Sequence, residues 1–296
     1  MTATSGFHAR HLAIVGLGLM GGSAALALRD YADRITGIDS SAPTRDYALR
    51  ARIVDHATDD LKAGVTDADV VVLAAPVRVI IQIVQGRIGA YLRSNTFLID
   101  LGSTKEDICH AMGQLPIGIQ AVGGHPMTGK EVHGIEASDA TLYHERPFVL
   151  CPTRRTTPAT RLRSLAFVDA LGAQPIEMDA HRHDRTVAAI SHLPYLLSAA
   201  LVATVKQEGD RDEAVWELAA GGFRDTSRLA ASNLDMMGDI LSTNTQAVAA
   251  LLAHFRAQLA LLEAALIDRD AEQLAERLRP VRSARLTWAH KYERKP

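Results

Sequence analysis

Two hydrophobic patterns divide this chain. Up to about residue 178, short apolar runs of strand length recur: Leu12-Ala13-Ile14-Val15, Ile35-Thr36-Gly37-Ile38, Val70-Val71-Val72-Leu73-Ala74-Ala75, Phe97-Leu98-Ile99, Gln120-Ala121-Val122, Phe148-Val149-Leu150-Cys151 and Pro175-Ile176-Glu177-Met178. Between them, residues 77–93, 105–113 and 158–171 carry patterns suited to helices. Runs of Val, Ile and Leu without polar alternation suit strands covered on both faces, and their alternation with helical segments is the pattern of a parallel sheet with crossover helices. From Asp179 onward the strand signals vanish, and Ala- and Leu-rich segments at helical period occupy 184–207, 213–219, 227–235, 245–268 and 270–292. The prediction is an α/β chain with a doubly wound sheet domain over residues 8–178 and an all-α domain over residues 179–296.

The first strand runs directly into Gly16-Leu17-Gly18-Leu19-Met20-Gly21, which opens a helical segment from Ser23 to Arg29. The three glycines meet separate physical needs, namely a tight strand-to-helix turn, close approach of the main chain to a pyrophosphate, and close packing of helix on strand. The helix N-terminus then offers free N–H groups to an anion. The second predicted strand ends in Asp39, placed to accept from a ribose hydroxyl and to repel a 2′-phosphate. The first domain is therefore predicted to be Rossmann-type and to bind NAD in preference to NADP, with a solvated turn aspartate as the plain alternative for Asp39.

Composition narrows the partners. At 296 residues and 47% hydrophobic, the chain exceeds the roughly 150 to 180 residues of one dinucleotide domain, in keeping with a second domain. A net charge of −2 gives no basic footprint for nucleic acid and no charged surface for a membrane, so small molecules are the expected partners. Cys109 and Cys151 stand far apart in sequence without a CxxC pair, which predicts core thiols in a reducing compartment. Met1-Thr2-Ala3-Thr4-Ser5 lacks a leader pattern, and residues 193–205, the best apolar stretch, are too short to span a bilayer. The expected location is the cytoplasm.

In a doubly wound sheet, ligands lie outside the carboxyl ends of the strands, and two of those ends are chemically loaded. Asp100-Leu101-Gly102-Ser103-Thr104-Lys105 follows one strand and Gly123-Gly124-His125-Pro126-Met127-Thr128-Gly129 the next. Paired glycines let main chain approach a ring, and Pro126 restricts His125, so the imidazole is mounted as a general base should be. The bland alternatives are an N-capping Ser103 and a capping or core His125. Gly124 to Lys130 also matches the start of a P-loop, but Glu131 stands where a magnesium-binding Ser or Thr belongs, and an ATPase reading is dismissed. In the helical half, Pro194 of Ser191-His192-Leu193-Pro194 cannot donate to the Ile190 carbonyl, so a break beside His192, bordering a cavity, is expected. Asp225, Arg228 and Ser232 fall at helical spacings that would present a carboxylate-oriented guanidinium and a hydroxyl on one face, suited to a substrate carboxylate, or else form an ordinary surface ion pair. His181, His183 and His192 lack metal-ligand spacing, read as solvated helix-start residues, and no metal is expected.

Gly16 to Ser23, Asp100 to Lys105, Gly124 to Glu131, Ser191 to Pro194 and Phe223 to Arg228 together resemble the prephenate/arogenate dehydrogenase family of tyrosine biosynthesis. The resemblance implies that His125 is the catalytic histidine, with Ser103 beside it at the substrate hydroxyl. It implies that His192 contacts substrate, that Arg228 anchors a carboxylate, and that Glu131, Asp225 and Ser232 lie around the pocket. It further implies NAD as cofactor, a helical C-terminal dimerisation domain and a homodimer. Thr128-Gly129-Lys130 departs mildly from the family's more usual Ala-Gly-Ser. A neutral histidine base would give activity that falls as pH drops through the histidine range. Two other classes stand beside this reading: a β-hydroxyacid dehydrogenase relative, for which the expected Lys-x-x-Asn on the first long helix of the second domain is absent, and a non-catalytic NAD-binding sensor.

Overall fold

A computed structural model describes residues 6–130 and 132–293; Met1 to Ser5 and Glu131, both weighed above, lie outside the described residues. The strands are β1 (Leu12–Val15), β2 (Ile35–Ile38), β3 (His56–Thr58), β4 (Val70–Leu73), β5 (Phe97–Asp100), β6 (Gln120–Pro126), β7 (Pro147–Pro152) and β8 (Gln174–Glu177). They form one sheet in the order β3-β2-β1-β4-β5-β6-β7-β8. The first six positions are the doubly wound order, with its switch point between β1 and β4. β7 runs antiparallel to β6, with Gly124 opposite Leu150 and His125 opposite Val149, and β8 follows β7 in parallel. That reversal was not foreseen in the sequence. Its cause is the connection from Pro126 to Pro147, which among the described residues carries only a 3-10 turn at Ile135–Ala137 and no crossover helix to bring the chain back in parallel.

Strand periodicity explains the apolar runs. Leu12, Ile14, Val70, Val72, Phe97 and Ile99 enter one core cluster, while Ala13, Val15, Val71, Leu73 and Leu98 enter another on the opposite face. Consecutive side chains point to opposite faces, so both sets must be apolar when both faces are covered. The covering helices are α1 (Leu19–Ala27), α2 (Ala42–Arg50), α3 (Leu61–Val65), α4 (Val77–Gln85), α5 (Ile88–Tyr91), α6 (Glu106–Met112) and α7 (Pro158–Ala170). Cys109 and Cys151, distant in sequence, become neighbours here: Cys109 Sγ donates to the Cys151 carbonyl at 3.5 Å. Burial pushes the Cys109 thiol up to about 12, as suits a packing residue.

Past the sheet come α8 (Ala180–Val187), α9 (Leu193–Gly209), α10 (Ala214–Glu217), α11 (Gly221–Ser227), α12 (Leu234–Thr243), α13 (Thr245–Ile267) and α14 (Ala271–Trp288). Two compact units divide after Thr245, the first holding the sheet and the helices through α12, the second running from Gln246. The break expected at Pro194 is a π-helical turn, Ala188–His192, joining α8 to α9. A π turn absorbs the missing donor without ending the helix, and this corrects the expectation that no stretch could span a bilayer. Ala180–Gly209 forms a 30-residue helical run and Thr245–Ile267 a 23-residue helix, each long and apolar enough to cross a membrane by length and composition.

Candidate active site

The glycine-rich turn sits at the switch point. Gly16 has φ of +94°, and a Cβ there would lie 2.6 Å from the Ala74 carbonyl oxygen at the end of β4. Conformation and space both demand glycine. A Cβ on Gly21 would meet the Gly16 carbonyl oxygen, whereas one on Gly18 would find nothing within 4 Å. Gly18 is the N-cap of α1 and supplies no side-chain cap, and its first turn holds no acid, so the N–H groups behind Leu19 and Met20 remain available to an anion. Asp39, at the carboxyl end of β2, accepts from Leu17 N at 2.8 Å and from Ser41 N at 2.9 Å, which ties the turn to the second strand. This open, uncapped helix mouth beside a carboxylate fits a dinucleotide.

The second constellation is built from side chains. Asp100, the last residue of β5, accepts from Gly102 N at 2.8 Å and from Gly124 N at 3.0 Å. Lys105 Nζ bonds the same carboxylate, and also donates to the Gly124 carbonyl at 2.8 Å. Both side chains are fully buried. Removing either would strand a charge, at a cost of about 3–5 kcal/mol. This pair pins the loop carrying Ser103 to the strand carrying His125. Ser103 does not cap α6; instead the carboxylate of Asp184 accepts from Lys105 N at 2.8 Å and Glu106 N at 2.9 Å, a cap contributed from 78 residues away.

His125 Nδ1 lies 2.8 Å from His183 Nε2, and the two rings meet edge to face with centroids 5.0 Å apart. His183 Nδ1 is in turn 2.7 Å from Asp184 Oδ1. Burial first, then His183, Lys105 and His192, holds His125 well below the ordinary histidine range. His192, the last residue of the π turn, is buried and lowered to about 4, chiefly by desolvation. Its Nδ1 lies 3.2 Å from Asn244 Nδ2, which also donates to the Asp184 main-chain carbonyl at 2.8 Å. The expectation of solvated helix-start histidines is thus corrected for His183 and His192, each 1% exposed: α8 packs its His183-Asp184 face onto α6 and β6, and His192, at the end of the π turn, meets Asn244. His181 alone of the three is exposed, beside Glu106.

The predicted helix over 227–235 is not continuous. α11 ends at Ser227, residues Arg228–Ala231 form a 3-10 turn, and Ser232 is extended at ψ of 155°. Arg228 and Ser232 therefore do not stand one α-turn apart. The Asp225 carboxylate accepts from Arg224 Nε at 3.3 Å, and the Ser232 hydroxyl donates to the Leu229 carbonyl at 2.7 Å. Arg228 is exposed on a turn held to α9 by Ala230 N donating to Ser198 Oγ. His125 and His192 are joined through His183, Asp184 and Asn244, and Ser103 lies on the loop that Lys105 pins to β6; Asp225 and Ser232 bond elsewhere. Sequence reasoning missed Asp100, Lys105, His183, Asp184 and Asn244. One usable signal was present: an aspartate ending a strand buried on both faces needs a cation, and Lys105 follows five residues later.

A doubly wound sheet with a glycine-rich turn at its switch point, a histidine cluster at its carboxyl edge and a helical tail defines a two-domain dinucleotide-binding protein. Residues 24–176 match the prephenate dehydrogenase nucleotide-binding domain and residues 179–280 the prephenate dehydrogenase dimerization domain. The cyclohexadienyl dehydrogenase of Zymomonas mobilis is 33% identical over 292 residues, 97% of this chain and 99% of that one. The Aquifex aeolicus prephenate dehydrogenase, solved in complex with hydroxyphenyl propionate and NAD+, superposes with a TM-score of 0.85 at 28% identity, covering 94% and 98% of the two chains. Synechocystis arogenate dehydrogenase gives 0.81 at 28% identity, covering 94% and 99%. The chain belongs to the prephenate dehydrogenase family.

Proposed function

We propose that the chain catalyses the NAD-dependent oxidative decarboxylation of prephenate, arogenate or both, to 4-hydroxyphenylpyruvate or tyrosine. The observation that carries this reading is His125, tethered at Nδ1 by His183 and kept neutral by burial at the edge of the sheet where a bound nicotinamide belongs. Bound NAD supplies the hydride acceptor. His125 takes the proton of the ring hydroxyl as the C4 hydride leaves, and loss of carbon dioxide then makes the ring aromatic. Ser103 stands beside the hydroxyl, His192 contacts the substrate, and Arg228 anchors a carboxylate, with Glu131, Asp225 and Ser232 around the pocket. Gly16, Leu17, Gly18, Leu19, Met20 and Gly21 cradle the pyrophosphate, and Asp39 accepts from the adenosine ribose. In this reading residues 8–178 hold the cofactor, and residues 179–296 supply substrate contacts and the interface of a cytoplasmic homodimer, whose partner covers the apolar helices. The test is an NADH-forming assay with prephenate and arogenate side by side, each with NAD and NADP. Turnover of at least one with NAD is expected; none with either substrate overturns the proposal.

A further inference from the structure

Three imidazoles meet around Asp184, and the partner of each ring nitrogen fixes where its proton lies. A carboxylate can only accept, so His183 Nδ1 carries the hydrogen it shares with Asp184 Oδ1 at 2.7 Å. The same carboxylate also accepts from Lys105 N and Glu106 N at the start of α6. A neutral ring with Nδ1–H has a bare Nε2. His183 Nε2 therefore accepts from His125 Nδ1 at 2.8 Å, and the ring nitrogen of His125 not engaged by His183, Nε2, keeps its lone pair. On the other side of the same residue, Asn244 Nδ2 donates one hydrogen to the Asp184 main-chain carbonyl at 2.8 Å and the other to His192 Nδ1 at 3.2 Å. An amide nitrogen only donates, and the facing carbonyl excludes the flipped amide. The proton of His192 is therefore on Nε2.

We infer that Asp184, through its carboxylate and its main-chain carbonyl, wires the two site histidines into opposite tautomers, His125 as an Nε2 acceptor and His192 as an Nε2–H donor. His183, Asp184 and Asn244 are positioning residues, and their role rests on the reading of His125 as the base. In the step served, the substrate O–H bond breaks and His125 Nε2–H forms. The C–H pair leaves as hydride to bound NAD, and the resulting imidazolium is faced by His183 and, behind it, the Asp184 carboxylate. His192 meanwhile has a hydrogen to give to an acceptor on the substrate, a complement that two like tautomers would lack.

The experiment is two-bond 1H–15N correlation on histidine-labelled full-length protein without substrate, near pH 8. The expected spectrum has His125 as the Nδ1–H tautomer and His192 as Nε2–H; His125 seen as Nε2–H, or His183 seen as a cation, overturns the inference. In Asp184→Ala the acceptor that keeps the hydrogen on His183 Nδ1 is gone, so the single His125 tautomer gives way to a mixture. That change is expected to lower kcat severalfold with NAD affinity within twofold, and an unmoved His125 signal contradicts it. Should loss of the α6 cap unfold that variant, Asn244→Asp serves: it moves the His192 proton to Nδ1 and leaves His125 unchanged, and His192 still at Nε2–H sinks the proposal. The expected tautomers without turnover of prephenate or arogenate would fail the proposed function and leave the wiring intact; turnover with His125 protonated at Nε2 would do the reverse.

Discussion

The turn after β1 and the carboxyl half of β6 lie at the same edge of the sheet, and both are marked by glycine, yet they are made differently. The first is built of main chain. Its glycines, its helix mouth and Asp39 come from a stretch of 24 residues, and what it offers a ligand is N–H groups in a fixed arc. The second is built of side chains whose orientation is supplied from far away: Lys105 from the neighbouring strand's loop, His183 and Asp184 from α8, and Asn244 from the end of α12. A main-chain site tolerates little change in backbone conformation but needs few partners. A side-chain site is sensitive at positions that never meet the ligand.

Substitutions sharpen this contrast. His125→Asn removes the base on β6 and leaves the turn after β1 intact. It is expected to lower kcat by about 10²- to 10⁴-fold with NAD binding, followed by fluorescence titration, unchanged. Arg228→Ala tests the helical side of the pocket. Loss of a charge-assisted bond to a substrate carboxylate, about 1.5–3 kcal/mol, is expected to raise KM by about tenfold or more with a smaller change in kcat; steady-state kinetics that leave KM unmoved place the anchor elsewhere. Gly16→Ala breaks the first turn instead. A side chain at φ of +94° facing the Ala74 carbonyl is expected to cost about 1–3 kcal/mol, read as a lower Tm together with weaker NAD binding and no change in the His125 tautomer.

The same contrast explains what could be read from the residues alone. The sheet was legible because a strand covered on both faces has to be apolar at consecutive positions, as Leu12 to Val15 and Val70 to Leu73 are. The glycine-rich turn was legible because its requirements are local. The reversal at β7 was not, since direction depends on the absence of a crossover helix rather than on any strand residue. The Arg228 segment was misread as helix because periodicity does not register the 3-10 turn and the extended Ser232 that follow Ser227. His183 looked like a solvated residue at a helix start, because only the packing of α8 onto α6 reveals that its two ring nitrogens are taken. Ser103 and His125 could be named by likeness; the residues that hold them could not.

Burial and the neighbours of His125 also relocate the pH response expected from an ordinary histidine. Its imidazolium is disfavoured by desolvation and by His183, Lys105 and His192, so the base stays neutral as pH falls past 6.5 and is lost only at lower pH. The measurement that bears most directly on His125 as the base is the pH profile of kcat/KM with NAD and the preferred ring substrate, wild type beside His125→Asn. The predicted result is a plateau that persists below pH 6.5, an acid limb beneath it, and no such limb in the variant's residual activity. An acid limb at or above pH 6.5, or one unchanged by the substitution, would contradict the account.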